Sequence, residues 1–307
     1  MKPPIKNIEA SVRGRLQDET RKTNRPFAEV FQCYGMERFL YRFAQSKYRG
    51  SFFLKGALMF TVWDVPERRT TMDIDFLGRF DNKIEKIEEV IREVCRVKVP
   101  ADGLVFDAKT VKGKRIKEDA DYEGVRVKFL GFLEKSEIPM QIDIGFGDVI
   151  TPEPSEVNYP TILDFPAPRL RGYTFESVVA EKFEAMIKLG TLNSRMKDFY
   201  DLWLMTRQFN FEGKTLGAAI KATFENRKTS FPTEKPLFAA GIYAEDSVQS
   251  TMWKAFLKKE QIKTAPDSLA EVARAIEDFL LEPVKALTAD KIPVAVWRAP
   301  GPWKIPE

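Results

Sequence analysis

The segment Arg69-Thr-Thr-Met-Asp73-Ile-Asp75-Phe76 alternates polar and apolar residues. In an extended strand Arg69, Thr71, Asp73 and Asp75 point to one face, and Met72, Ile74 and Phe76 to the other. Two carboxylates on one face repel each other and lose hydration unless a cation sits between them, and hard oxygen ligands select Mg²⁺ or Mn²⁺. A later stretch, Gln141-Ile-Asp143-Ile-Gly145, offers a third carboxylate on the side opposite Ile142 and Ile144. Three aspartates suit a two-metal centre, in which ions about 3.5–4 Å apart hold the attacking and leaving oxygens of a phosphoryl transfer in line. The same pattern also fits an edge strand with a solvated face, and Asp143 could equally cap a turn or pair with Arg126 or Lys128.

Two other places carry residue types that fit phosphate chemistry. Lys55-Gly56-Ala57 lies between an apolar run, Phe52 to Leu54, and an amphipathic stretch, where a glycine lets backbone approach closely and a helix start favours an anion. A strand-to-helix turn can need that glycine for geometry alone. Lys182 falls at helical spacing with Val178, Val179, Phe183 and Met186, inside the apolar stripe, and a lysine seldom buries without an anionic partner. It could instead snorkel from the stripe edge. Downstream, Arg195-Met-Lys197-Asp198-Phe-Tyr200-Asp201 opens another helix, with Asp198 and Asp201 flanking its apolar face. First-turn acidity or a pair with Arg195 is their plain role.

The elements that must position these residues follow from periodicity. Residues 8–47 read as helices broken at Asn24-Arg-Pro26, and the apolar run before Lys55-Gly56-Ala57 reads as strand, turn, helix. Residues 71–77 alternate as a strand, 83–97 place Ile84, Ile87, Val90, Ile91 and Val94 on one helical face, and 125–132 and 139–146 read as two more strands. After the proline-rich stretch 151–168 the period becomes helical, with helices expected near 174–189, 194–207, 214–226, 247–258 and 267–281. Residues 292–307 hold four prolines and two tryptophans without periodicity and read as a tail or a segment laid on a partner. The expected organisation is an α+β chain: an N-terminal helical segment (1–48), a core with a mixed or antiparallel sheet (49–165), a helical domain (166–285) and a tail (286–307).

Composition narrows the chemistry. The chain has no histidine, which removes Ser-His-Asp and Cys-His catalysis together with histidine-based zinc sites. Cys33 and Cys95 are too few for a disulfide framework or a cysteine zinc site and read as buried thiols. With 307 residues, 44% hydrophobic and 31% charged, the sequence has the composition of an ordinary globular protein. Its N-terminus shows neither a signal peptide nor a membrane span, so a cytoplasmic location and no membrane partner are expected. The net charge is +4, and Lys109, Lys112, Lys114, Arg115 and Lys117 form a basic cluster that suits either an RNA backbone or a solvated loop.

Taken in order, Lys-Gly-Ala, Arg-x-Thr-x-Asp-x-Asp, Glu181-Lys182-Phe-x-Ala185 and Arg195-x-Lys-Asp198-x-Tyr-Asp201-Leu resemble the AbiEii nucleotidyltransferase family of type IV toxin–antitoxin systems, within the DNA polymerase β-like superfamily. The likeness spans about residues 8–280. It implies a polymerase β-like core followed by a helical domain that closes the nucleotide cleft, and a toxin that moves NMP from an NTP to a cellular acceptor. That acceptor would be RNA, with the acceptor end of transfer RNA in view. The resemblance further implies that Lys55, Gly56, Ala57, Arg69 and Thr71 lie at the nucleotide and that Asp73 and Asp75 bind Mg²⁺ or Mn²⁺. Asp143 matches the third carboxylate of the superfamily, Lys182 binds triphosphate, Asp198 orients or deprotonates the acceptor, and an antitoxin is encoded nearby. Ala57 stands where the superfamily often has glycine or serine, which leaves backbone contacts to phosphate at that position. Two other readings share these residues: a non-catalytic NTP- or RNA-binding module on the same fold, and a glycosyltransferase using Asp-x-Asp. The absence of repeated βαβ units speaks against the latter.

Overall fold

The structure, a computed structural model, describes residues 7–119 and 122–306. The expectation drawn from Met1 to Lys6 therefore lies outside the described residues; among those described, no helix is long and apolar enough to cross a membrane. The chain divides into two compact units.

The first unit holds residues 1–64, 71–147 and 155–172. Its elements are α1 (Ile8–Thr23), α2 (Phe27–Ala44), β1 (Phe52–Lys55), α3 (Leu58–Val62), β2 (Ile74–Gly78), α4 (Ile84–Cys95), β3 (Leu104–Asp119), β4 (Tyr122–Leu133), β5 (Ser136–Phe146), β6 (Ser155–Asn158) and β7 (Arg169–Gly172). Seven strands form one mixed sheet in the order β3-β4-β5-β2-β1-β7-β6. β2 and β5 run parallel, as do β1 and β7, while the other neighbours are antiparallel.

Sequence periodicity explains how the sheet is covered. α4 carries Ile87, Val90, Ile91 and Val94 on one buried face, as the 3.6-residue period requires. α2 contributes Phe39 and Phe43, whose rings meet Phe129 at 4.9 Å and Phe76 at 4.8 Å between centroids. A buried ion cluster ties α2 to the start of β3: Arg42 donates to both Asp102 carboxylate oxygens, at 2.7 and 2.9 Å, and Arg38 Nε donates to Oδ2 at 3.2 Å. The guanidinium fork and the carboxylate supply each other's hydrogen bonds, which is what makes such burial tolerable.

The second unit holds residues 65–70, 148–154 and 173–307. It contains α5 (Phe175–Leu189), α6 (Met196–Gln208), β8 (Phe211–Glu212), α7 (Gly213–Arg227), α8 (Ala240–Tyr243), α9 (Val248–Glu260), α10 (Leu269–Thr288), β9 (Val296–Trp297) and β10 (Trp303–Lys304). Thr174 caps α5 by accepting from Ser177 N–H, and Ser247 and Ser268 cap α9 and α10 in the same way.

Four expectations need correction. The strand expected from residue 71 begins only at Ile74; residues 69–73 are not in the sheet, and Arg69 belongs to the second unit, where it pairs with Asp201. The basic stretch around Lys109 to Lys117 is not a loop; it lies on β3, a strand whose charged side chains mask its alternation. The proline-rich stretch, for which no element was expected, contains β6 and leads into β7, short strands held by long-range pairing. The tail has structure of its own: β10-β9-β8 form a three-stranded sheet, and Trp297 and Trp303 pack on Phe279 at 5.0 and 5.7 Å. Trp303 Nε1 donates to the Phe279 carbonyl at 2.7 Å, the acceptor left free in α10 because Pro283 has no N–H to give it. Of the two thiols, Cys95 is buried but Cys33 only half-buried.

Candidate active site

β2 and β5 pair in register, Ile74 with Ile142 and Asp75 with Asp143. Side chains paired in this way share a face. The isoleucines therefore enter the core, at 0% exposure, while the two aspartates emerge side by side on the other face. Asp73, one residue before β2, joins them: one carboxylate oxygen from each of Asp73, Asp75 and Asp143 lies within 4.8 Å of the others. The first two are half-buried and Asp143 is buried.

The neighbours of this triad are polar and ordered. Thr71 Oγ1 donates to Asp73 Oδ1 at 2.6 Å, and Gln141 Nε2 reaches Asp73 Oδ2 at 3.4 Å and Asp143 Oδ2 at 3.5 Å. Arg126, opposite Asp143 across β4 and β5, donates to both of its carboxylate oxygens at 2.8 and 2.6 Å. That hydrogen bond raises the Arg126 pKa above its ordinary value, as does the attraction of Asp143, Asp73 and Asp75, against the opposing effect of burial. Three carboxylates brought this close together are a hard oxygen donor set of the kind that suits a divalent ion.

On the β1 side the backbone is fitted to the triad. Lys55 pairs with Asp75 across β1 and β2, and Gly56 follows with φ +69°. A Cβ on Gly56 would lie 2.2 Å from Asp75 Oδ2, a distance no side chain could occupy. Ala57 is the N-cap of α3 and is 6% exposed, so its methyl is committed to packing. All the donor types and the bare backbone beside them fit a hard divalent cation.

Lys182, Asp198 and Arg69 belong to a different cluster, in the second unit. Lys182 Nζ donates to Asp198 Oδ1 at 2.6 Å and to Asp201 Oδ2 at 2.9 Å. Arg69 donates to both Asp201 oxygens at 3.1 Å, and Arg195 Nε lies 2.6 Å from Asp198 Oδ2, close enough for an ion pair although its angles fall outside a hydrogen bond. The anions that meet the buried lysine are thus two carboxylates of α6. Burial opposes charge on Lys182, but Asp198 and Asp201 outweigh it and its pKa is raised. Burial likewise opposes charge on both aspartates; Lys182 and Arg195 overcome it at Asp198, and Arg69 and Lys182 at Asp201, so both pKa values are lowered. Glu181, from the same motif as Lys182, accepts from Tyr173 Oη at 2.7 Å.

Of the residues expected at one site, Gly56, Thr71, Asp73, Asp75 and Asp143 belong to the first unit, and Arg69, Lys182 and Asp198 to the second. Sequence reasoning passed over Gln141, although a residue two positions before Asp143 on a strand must share its face. It offered Lys128 only as a possible partner of Asp143, whereas Lys128 lines a groove beside Asp73.

Three carboxylates thus meet on β5, on β2 and just ahead of β2, beside a glycine turn. The family model described as nucleotidyl transferase AbiEii toxin, type IV TA system, matches residues 38–280, and the chain belongs to this family. Membership decides for nucleotidyl over glycosyl transfer. No curated protein matches the chain. Among solved structures, JHP933 from Helicobacter pylori is similar at 14% identity and a TM-score of 0.44, over 82% of this chain and 93% of that one. A provisionally assigned nucleotidyltransferase from H. pylori is similar at 14% identity and a TM-score of 0.41, over 80% and 92%. Likeness this loose adds nothing to the family match.

Proposed function

We infer that this chain is a metal-dependent toxin that transfers NMP from an NTP to a cellular RNA, with the acceptor end of transfer RNA as the leading candidate. The observation that carries the reading is the convergence of Asp73, Asp75 and Asp143 oxygens within 4.8 Å beside a backbone turn that has no room for a side chain.

In this reading Asp73, Asp75 and Asp143 hold Mg²⁺ or Mn²⁺, and Lys55, Gly56 and Ala57 offer backbone to the nucleotide phosphates. Thr71 and Gln141 fix the Asp73 carboxylate by hydrogen bonds. The bound ion supplies charge neutralisation at the phosphates and lowers the pKa of the attacking hydroxyl. The acceptor oxygen forms a bond to the α-phosphorus as the bond to the bridging α–β oxygen breaks, pyrophosphate departs, and the hydroxyl proton passes to a carboxylate. The family resemblance alone assigns that last role to Asp198, triphosphate binding to Lys182 and a nucleotide contact to Arg69. An antitoxin is the partner implied by the type IV family.

Incubating the purified protein with each α-labelled NTP, Mg²⁺ and total RNA tests the reading. Label entering RNA, and absent without the divalent ion, is the expected result. An NTP-induced thermal shift without transfer to any RNA would favour a binding module on the same fold.

A further inference from the structure

Strand register extends the polar face of the triad outward across the sheet. Asp75 pairs with Asp143, Asp143 with Arg126, and Arg126 with Lys114 on β3. Two residues along, Gln141 pairs with Lys128, and Lys128 with Lys112, while Asp73 lies at the β2 end of this second row. Directly paired residues share a face, so Lys112, Lys114, Arg126 and Lys128 stand in two rows of two beside the carboxylates.

That face is the open one. A Cβ on Gly113, between Lys112 and Lys114, would meet Ile84 of α4 at 2.8 Å, so α4 covers the opposite side, where Val125, Val127, Ile142 and Ile144 are buried. Lys112, Lys114 and Lys128 are exposed and Arg126 is half-buried. With strands about 4.8 Å apart, the ladder runs roughly 14 Å from Asp75 to Lys114. Where the second row meets Asp73, a groove of about 470 Å³ opens, lined by Asp73, Lys128, Gln141 and Gln32 together with Met72 and Pro139.

We propose that the β3–β4–β5 face is the binding surface for a single-stranded nucleic acid acceptor, whose phosphates lie on Lys112, Lys114 and Lys128 and whose terminal base enters the groove beside Asp73. This deepens the function proposed above, from which it takes the site as the place of transfer. A polyanion fits because the cations are exposed, regularly spaced and lead away from the metal-binding carboxylates, on the side of the triad remote from the Gly56 turn. An extended strand with an apolar groove at its end suits bases that are unstacked, which duplex ends and single strands offer.

The test is fluorescence anisotropy of a short labelled oligouridylate on the full chain, without NTP or metal, across a salt series, with oligothymidylate as a parallel arm. The charge reversals Lys112→Glu and Lys114→Glu together should weaken binding by roughly tenfold or more and flatten the slope of log affinity against log salt by about 2. A control, Lys258→Glu with Lys259→Glu on exposed positions of α9, makes the same change in net charge and should leave binding near wild type. Equal weakening in both pairs, or an oligonucleotide affinity untouched by the β3 reversals, overturns the proposal. Tighter binding of oligouridylate than of oligothymidylate would assign the surface to RNA, and equal binding to nucleic acid in general. Failure of the transfer reading shows up separately, as intact oligonucleotide binding with no incorporation of label. Circular dichroism melts of both pairs check that these surface changes leave the fold intact.

Discussion

Gly56 and Asp75 share a corner of the site in which only one of them can have a side chain: a Cβ on Gly56 would lie 2.2 Å from Asp75 Oδ2. The glycine also sits at φ +69°, where an alanine is strained. Gly56→Ala should therefore push the Asp75 carboxylate out of line. We expect a stability loss of about 1–3 kcal/mol, read from denaturant melts, and a loss of Mn²⁺-induced thermal stabilisation larger than that stability change explains. Unaltered Mn²⁺ stabilisation would show that the close approach does not matter to the carboxylate.

Asp75→Asn and Asp73→Asn each remove one charge from a crowded group of three carboxylates. Melting temperature without metal should hold or rise, because repulsion is relieved, while label transfer from NTP drops to background. Wild-type turnover in either variant would refute the metal assignment. Adding a chelator to the wild type should abolish transfer in the same assay.

Lys182→Met would leave Asp198 and Asp201, 1% and 2% exposed, without their shared ammonium. Breaking a buried ion cluster by removing one partner costs about 3–5 kcal/mol, so this variant should melt well below the wild type. A lysine merely snorkelling from an apolar stripe would predict the opposite sign, with methionine as stable or more so. Only after this cost is measured can lost activity in the variant be ascribed to nucleotide binding.

The same cluster sets limits at both ends of the pH scale. Asp198 and Asp201 have folded pKa values below the ordinary 3.8, so their stabilisation is present above that value and lost as pH falls through the depressed ones. Lys182 has a folded pKa above 10.5, so its contribution is present below 10.5 and lost as pH rises through the raised value. Thermal melts should show an acid limb below about pH 4, and that limb should be shallower in Asp201→Asn. An identical acid limb in the variant would mean that other carboxylates govern acid unfolding.

Much of this was legible in the residues because it depended on local period. The apolar spacing of Ile84, Ile87, Val90, Ile91 and Val94 gives α4, and alternation in 139–146 gives β5 and the face on which Asp143 stands. What stayed hidden depends on pairing. β3 is rich in lysine, so hydropathy shows no buried face, and only its register with β4 makes Lys112 and Lys114 part of the site. Arg69 reads as a strand residue beside Asp73, yet its bond to Asp201, 132 positions away, draws it into the other cluster. No local pattern marks a bond of that kind. The tail was misread for the same reason: Trp303 matters because Pro283 frees a carbonyl in a distant helix.

The in-register pairing of Asp75 with Asp143 also constrains how this protein can vary among its relatives. A strand repeats every two residues, so inserting or deleting one residue within β5 ahead of Asp143 would turn its carboxylate into the core and bring an isoleucine up beside Asp75. Such a change fails outright, whereas a substitution fails by degrees. Length variation in this part of the chain should therefore gather at the β4–β5 turn, where Glu134 and Lys135 are exposed, and stop short of the strands themselves.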